Sequence, residues 1–458
     1  MMNRTGIVSP ASVLRDAATR LLRTNGWSRV LLVVATGAYA QCPSTLGPAW
    51  QSLLATHPAV AASKSREEAR ASAIAGTRAS LLPRLDATAG YQYVTEVPSL
   101  DLTLPIGPGG KPVSMHKELG THNRTDLGLT ASYVVFSGFS QSHAQAREET
   151  GLDAAKLDSR QVRAQLALQL GLLDLSLRSR LVDLRQKRER LTVREAWLAN
   201  WQAREKSGIA TKAQVLNAKA EMLSARTDTS GVRRQIDSLR TEFTALAGTV
   251  WTGSETDTSF DKICPEAVPS AAQEPWNARS LKTQARALEE SRSVATAAKY
   301  PWITASLSAK AGDPGVNQTE GWMTWGVAAV QMQWNLFDGF ERSSTSGRLR
   351  SEARTLELES ARITLSQKTQ WETLAQERQN LSQDREALQA ALDASLEAEA
   401  ALKGAISSGT SLPDDLRDAG LRSSDLRARL SQLSLRDASL ALRLRSLSGE
   451  PLSFEGTP

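Results

Sequence analysis

The chain has 458 residues, 23% of them charged, and a net charge of +6, which leaves room for two or three compact domains or one long repetitive one. Arg4, Arg15, Arg20, Arg23 and Arg29 against Asp16 put +4 into the first 40 residues and leave +2 for everything after them. A body so close to neutral lacks the clustered Lys and Arg that phosphate contacts require, so no nucleic-acid partner is expected.

In chain order, the arginines are followed by the short apolar run VLLVVATGAYA, ending in Ala38-Tyr39-Ala40, the small-x-small pattern of a signal peptide. Cleavage is expected before Gln41. The run is too short to span a bilayer, which takes about 20 apolar residues. Cys42 and Cys264 lie beyond that point. In an exported chain they are candidates for a disulfide, with two unrelated thiols or lipid attachment at Cys42 as the alternatives.

Helical stretches are predicted at about 58–80 and 271–297, each ahead of a period-2 segment. Leu85, Ala87, Ala89, Tyr91 and Tyr93 alternate with polar residues, as do Leu127, Leu129, Ala131, Tyr133 and Val135. In the second half Ile303, Ala305, Leu307 and Ala309, then Ala328, Val330, Met332, Trp334 and Leu336, repeat the pattern. These are two hairpins of strands about ten residues long with one apolar face. The connection GPGGKP in the first lacks the Lys-Ser/Thr end of a phosphate loop and is expected to be a surface turn.

Each hairpin ends on one signature. YVVFSGFS at 133–140 and WNLFDGFE at 334–341 place Phe136, Gly138 and Phe139 at a constant 201 residues from Phe337, Gly339 and Phe340. The same offset carries Gly208 to Gly409 and Gly248 to Gly449, while Pro83 and Pro301, ahead of the strands, are 218 apart. The chain is an internal duplication, and the 17-residue difference falls in a loop, where insertions are tolerated.

After each signature, Gln141 to Lys206 and Arg342 to Lys403 hold no Pro and hardly a Gly, and Leu, Ala, Arg, Glu and Gln dominate. A helix of some 65 residues is about 100 Å long. Turns at Gly208 and Gly409 return a second, shorter helix to Gly248 or Gly449. Leu166, Leu168, Leu170, Leu173 and Leu175 crowd more than one side of the long helix, so it must pack neighbours on more than one side. Four strands cannot close a barrel in lipid, where every edge must be paired, so the chain is expected to oligomerise.

The strand starts LLP and YP, the F-x-G-F strand ends, the segments GIATKAQVLNAKAEMLSAR and GTSLPDDLRDAGLRSSDLRAR, and the repeat itself resemble the TolC-like outer-membrane efflux and secretion proteins over nearly all of 50–450. The resemblance implies an α plus transmembrane-β fold: a homotrimer whose chains each give four strands to a shared 12-stranded barrel, continued by a long helical barrel. It implies passive export from an inner-membrane transporter through a periplasmic adaptor, and location in the outer membrane of a Gram-negative bacterium. On this division 1–40 is the signal peptide, 41–248 the first repeat and 249–270 a linker. The second repeat is 271–449 and the tail 450–458; the hairpins are about 83–136 and 301–337, the helical hairpins 140–248 and 341–449.

The resemblance also places a ring of carboxylates at the periplasmic entrance, here Asp415 and Asp418, and makes the turns around Gly208, Thr211, Gly409 and Thr410 the adaptor contact. It fails at Ser411 and Gln214, where the family's gate pairs an Arg with an Asp. A simple helix start, where Asp is favoured by the dipole, is the plainer account of Asp414. His116 and His122 in the first outer loop are expected to be an exposed pair rather than metal ligands. No G-x-S-x-G, H-E-x-x-H or cysteine cluster is present, so neither enzyme activity nor a cofactor is expected. The eleven Trp suit interfacial anchors and packing. A periplasmic adaptor or structural coiled-coil protein is the competing reading, and the substrate is left open among drugs, metals and proteins.

Overall fold

A computed structural model describes residues 46–104, 113–118, 120–253, 272–316, 321–408, 413–449 and 454. Cys42, Cys264, Gly409, Thr410, Ser411 and the GPGGKP turn lie outside them, and no helix among the described residues is long and apolar enough to cross a membrane. The described residues belong to one unit, Gln41–Pro458.

The elements run α1 (Gly47–Thr56), α2 (Pro58–Ala79), β1 (Arg84–Tyr93), β2 (Ser99–Leu104), β3 (Val113–Glu118), β4 (Asn123–Phe136), α3 (Ser140–Lys206) and α4 (Lys212–Ala247). The second half follows as α5 (Trp276–Ala297), β5 (Trp302–Asp313), β6 (Met323–Gln333), α6 (Glu341–Ser407) and α7 (Pro413–Leu447). The duplication is visible as geometry: α3 and α6 are both 67 residues long and α2 and α5 both 22. Pro-free, Leu/Ala/Glu/Arg-rich sequence sustains the long helices. Gly248 and Gly449, at φ +70° and +72°, end the returning ones in left-handed turns.

One antiparallel sheet has the order β1-β4-β5-β6. Its register sets Ala87 opposite Leu129, Leu129 opposite Ala309 and Ala305 opposite Val330, so the alternating apolar positions of all four strands share one face. Thr130 and Ser308 share a hydroxyl hydrogen bond of 3.0 Å on the other face. Among the described residues the outer edges of β1 and β6 have no partner strand.

Two local expectations change. β6 stops at Gln333, so Phe337 stands beyond the strand rather than at its end. The first outer loop contains a second ribbon, β2–β3, in which Leu102 faces Met115 on one side and Asp101 faces His116 on the other. The alternation in SLDLTL was available in the sequence, but the Gly- and Pro-rich stretch after it dominated the loop's composition.

Around α3 the core gathers Leu166, Leu170, Leu177 and Leu181 with Ile236 and Phe243 of α4 and Leu435 and Leu442 of α7. Phe454 joins it, 2% exposed, with its ring edge-on to Trp50 at 6.1 Å. Inside this apolar region Asp174 is 1% exposed. Its carboxylate accepts from Arg178 Nε and from Trp251 Nε1, each at 2.8 Å, which is what makes burial of the charge tolerable. Where α7 ends and α5 begins, Gln367 Nε2 donates to the carbonyls of Leu447 at 2.6 Å and Gln273 at 3.3 Å, bridging the two helices from α6.

Candidate functional site

The strand-to-helix signature is a backbone device. Gly138 and Phe139 take φ +63° and +68°, and Gly339 and Phe340 take +62° and +71°. Two successive left-handed residues turn a strand directly into a helix, and a left-handed Phe, disfavoured by its Cβ, is held by ring packing. Phe139 lies edge-on to Phe136 at 5.5 Å and to Tyr300 at 6.1 Å. Phe340 lies edge-on to Phe337 at 5.8 Å and is 73% exposed. The glycines differ in the same sense. A Cβ on Gly138 would sit 2.6 Å from the carbonyl oxygen of Ala297, whereas one on Gly339 would meet nothing within 4 Å.

At the far end of the helices, Gly208 turns at φ +76° and Thr211 caps α4. Gln214 Oε1 accepts from the Thr211 backbone N–H at 2.8 Å, and Thr211 Oγ1 accepts from Gln214 N at 3.4 Å. Gln214 therefore serves a capping box in place of an ion pair. Asp415 and Asp418 lie one turn apart at the start of α7, both exposed. Asp418 accepts from the adjacent Arg417 at 3.0 and 2.8 Å. That guanidinium lies 4.1 Å over the ring of Trp197 on α3, which packs edge-on to Trp201 at 5.3 Å. Here two of the tryptophans serve as a platform for an arginine, and neither Arg417 nor the Trp197/Trp201 pair was singled out from the sequence. Their i,i+4 spacing was the available signal.

Between α3 and α7 the same end is joined by polar contacts. Asp425 accepts from Gln186 and Arg190, each at 2.8 Å, Ser424 donates to Glu189 at 2.5 Å, and Gln432 donates to Asp183. On α6, the Lys403 ammonium and then the Ser423 hydroxyl hold the Glu399 carboxyl below the usual glutamate range. His116 and His122 are not brought together as ligands. The first pairs with Asp101 at 2.5 Å and the second contacts the Val94 carbonyl at 2.8 Å, and the described residues contain no group of three or more metal-binding side chains.

The outer membrane efflux protein family matches residues 49–249. CusC, described for its folding and transmembrane channel formation, has a TM-score of 0.69 at 12% identity, with 88% of this chain and 91% of that one covered. The outer membrane protein VceC from Vibrio cholerae gives 0.68 at 15%, covering 89% and 97%. The open state of the MtrE outer membrane channel from Neisseria gonorrhoeae gives 0.67 at 16%, covering 90% and 91%. No curated protein sequence matches the chain. The family thus matches the first repeat, and the duplicated strand and helix hairpins share the fold of these channels.

Proposed function

We propose that the chain is the outer-membrane exit channel of a tripartite efflux or type I secretion system, working as a homotrimer with 12 strands in one lipid-facing barrel. A periplasmic adaptor docks at the helical turns around Gly208, Thr211, Gly409 and Thr410 and passes substrate from an inner-membrane transporter. Asp415 and Asp418 line the entrance, and Cys42 and Cys264 are free to pair after loss of residues 1–40. The channel conducts passively and has no catalytic role.

One observation carries the assembly: the contacts that α3 and β4 of the first repeat make with the second repeat have unfilled counterparts on α6 and β6. α3 touches α2, α4, α5 and α7, whereas α6 touches only α5 and α7 among the described elements. β4 is paired on both sides and β6 on one. Moving the β4–β5 register by the repeat offsets pairs β6 with β1 of the next copy. Leu129↔Ala309 becomes Val330↔Tyr91, and Ala131↔Leu307 becomes Met332↔Ala89. Both new pairs keep apolar side chains on one face, as a lipid-facing sheet without free edges requires. By the same shift Gly339 and Phe340 meet Ala79 and Leu82 of the next copy, and Leu82 is 67% exposed for lack of a partner.

The test is a Val330→Cys/Tyr91→Cys variant on a Cys42→Ser/Cys264→Ser background. Oxidation of membrane-extracted protein should give a covalent trimer on a denaturing gel, and a Val330→Cys/Tyr93→Cys control should link far less. A chain that stays monomeric and conducts no ions in a planar bilayer would falsify the channel reading.

A further inference from the structure

The polar face of the sheet, which lines the pore if the channel reading holds, carries a group of apolar side chains on β6. On β1, β4 and β5 that face carries Thr88, Thr130 and Ser308, and its cations are neutralised along their own strands: Arg84 by Asp86 at 2.8 Å and Arg124 by Asp126 at 3.0 Å. β6 instead presents Met323, Trp325 and Val327 to it, near the end of the sheet farthest from the helices. Trp325 is registered opposite Lys310, the one lysine on this face, which has no carboxylate partner among the described residues.

Two glycines open space around this pair. A Cβ at Gly312 would lie 3.3 Å from Trp325 Cη2 and 3.2 Å from Asp126 Oδ1, and one at Gly128 would lie 3.9 Å from Lys310 Cγ. The indole and the lysine stem thus rest over bare backbone, leaving the ring face half-buried and the ammonium exposed. Under the register proposed above, β1 of the next copy ends at Tyr93, opposite Ala328, so Met323 to Val327 have no neighbouring strand on that side in the trimer. The patch remains open to the pore.

We infer that Trp325 and Lys310 form a contact site for amphipathic anions, molecules with a flat apolar body and a carboxylate or sulfonate, at the outer mouth of the pore. The ring covers the apolar body and the unpaired ammonium meets the anion, where a low-dielectric wall strengthens the attraction. The site determines which substrates dwell in the exit, and it rests on the channel reading.

Single-channel recording in KCl, with 2-naphthalenesulfonate added on the loop side, tests it. The probe should block the wild-type pore. Trp325→Ala and Lys310→Gln should each weaken block about fivefold, the size of one stacking or charge contact, while an open KCl-conducting pore persists. Trp325→Phe should retain most of the block, and it carries the test together with Lys310→Gln if the alanine variant does not assemble. Equal block in wild type and variants overturns the site alone and leaves Trp325 as a cover for Gly312. Stronger block by naphthyltrimethylammonium overturns the charge assignment, and absence of wild-type KCl conductance removes the channel reading and this site with it.

Discussion

The first repeat is finished inside its own chain and the second is not. Leu157 on α3 is half-buried, while its counterpart Leu358 on α6 is 56% exposed; Ala164 is half-buried where Leu365 is 67% exposed. The duplicated backbone is the same in both, so the difference lies in what covers it. A repeat that keeps apolar residues on an uncovered face calls for a partner, and in the proposed trimer the quasi-equivalent partner is the first repeat of another copy.

The largest expected asymmetry is in the core. Asp174→Ala leaves Arg178 buried without its carboxylate and Trp251 Nε1 without an acceptor, and should cost about 3–5 kcal/mol. At the positions 201 residues on stand Ala375 and an exposed Gln379, so Gln379→Ala should stay within about 0.5 kcal/mol. Denaturation midpoints of the two variants compare the repeats directly, and similar losses would mean that the buried triad is not what distinguishes them.

Next come the turns. Gly138→Ala brings both a left-handed Ala, about 1–2 kcal/mol, and a collision with the Ala297 carbonyl. Gly339→Ala brings only the first term in a single chain but should impair assembly as strongly, because in the proposed trimer the next copy supplies the missing neighbour. Size-exclusion profiles read this: Gly339→Ala trimers as stable as wild type would break the quasi-equivalence.

The smallest effect is at the proposed entrance, where Asp415 and Asp418 correspond to the uncharged Gln214 and Asn217 of the first repeat. Asp415→Ala with Asp418→Ala should lower cation preference about twofold, a modest change because Arg417 already sits against Asp418. Arg417→Ala should raise it. Reversal potentials in a salt gradient give both signs, and unchanged selectivity would remove the carboxylates from the mouth.

Much of the fold was legible because its signals are periodic or repeated. The alternation at 85–93 and 127–135 placed two strands, and the constant offset between Gly138 and Gly339 exposed the duplication before any coordinates. What escaped depends on contacts across the chain. Nothing local marks Asp174 as buried, since its partner Trp251 is 77 residues away. Gln214 was legible as a departure from the gate pattern but not as half of a capping box with Thr211. Arg417 gains its role only when α7 lies across Trp197.

Phe454 sets a constraint on time as well as on space. It fills the core of the first repeat, its ring 3.2 Å from where a side chain at Gly171 would begin and edge-on to Trp50. The core around α3 is therefore not complete until Phe454 has been synthesised, long after α4 has ended at Ala247 and the whole second repeat has followed.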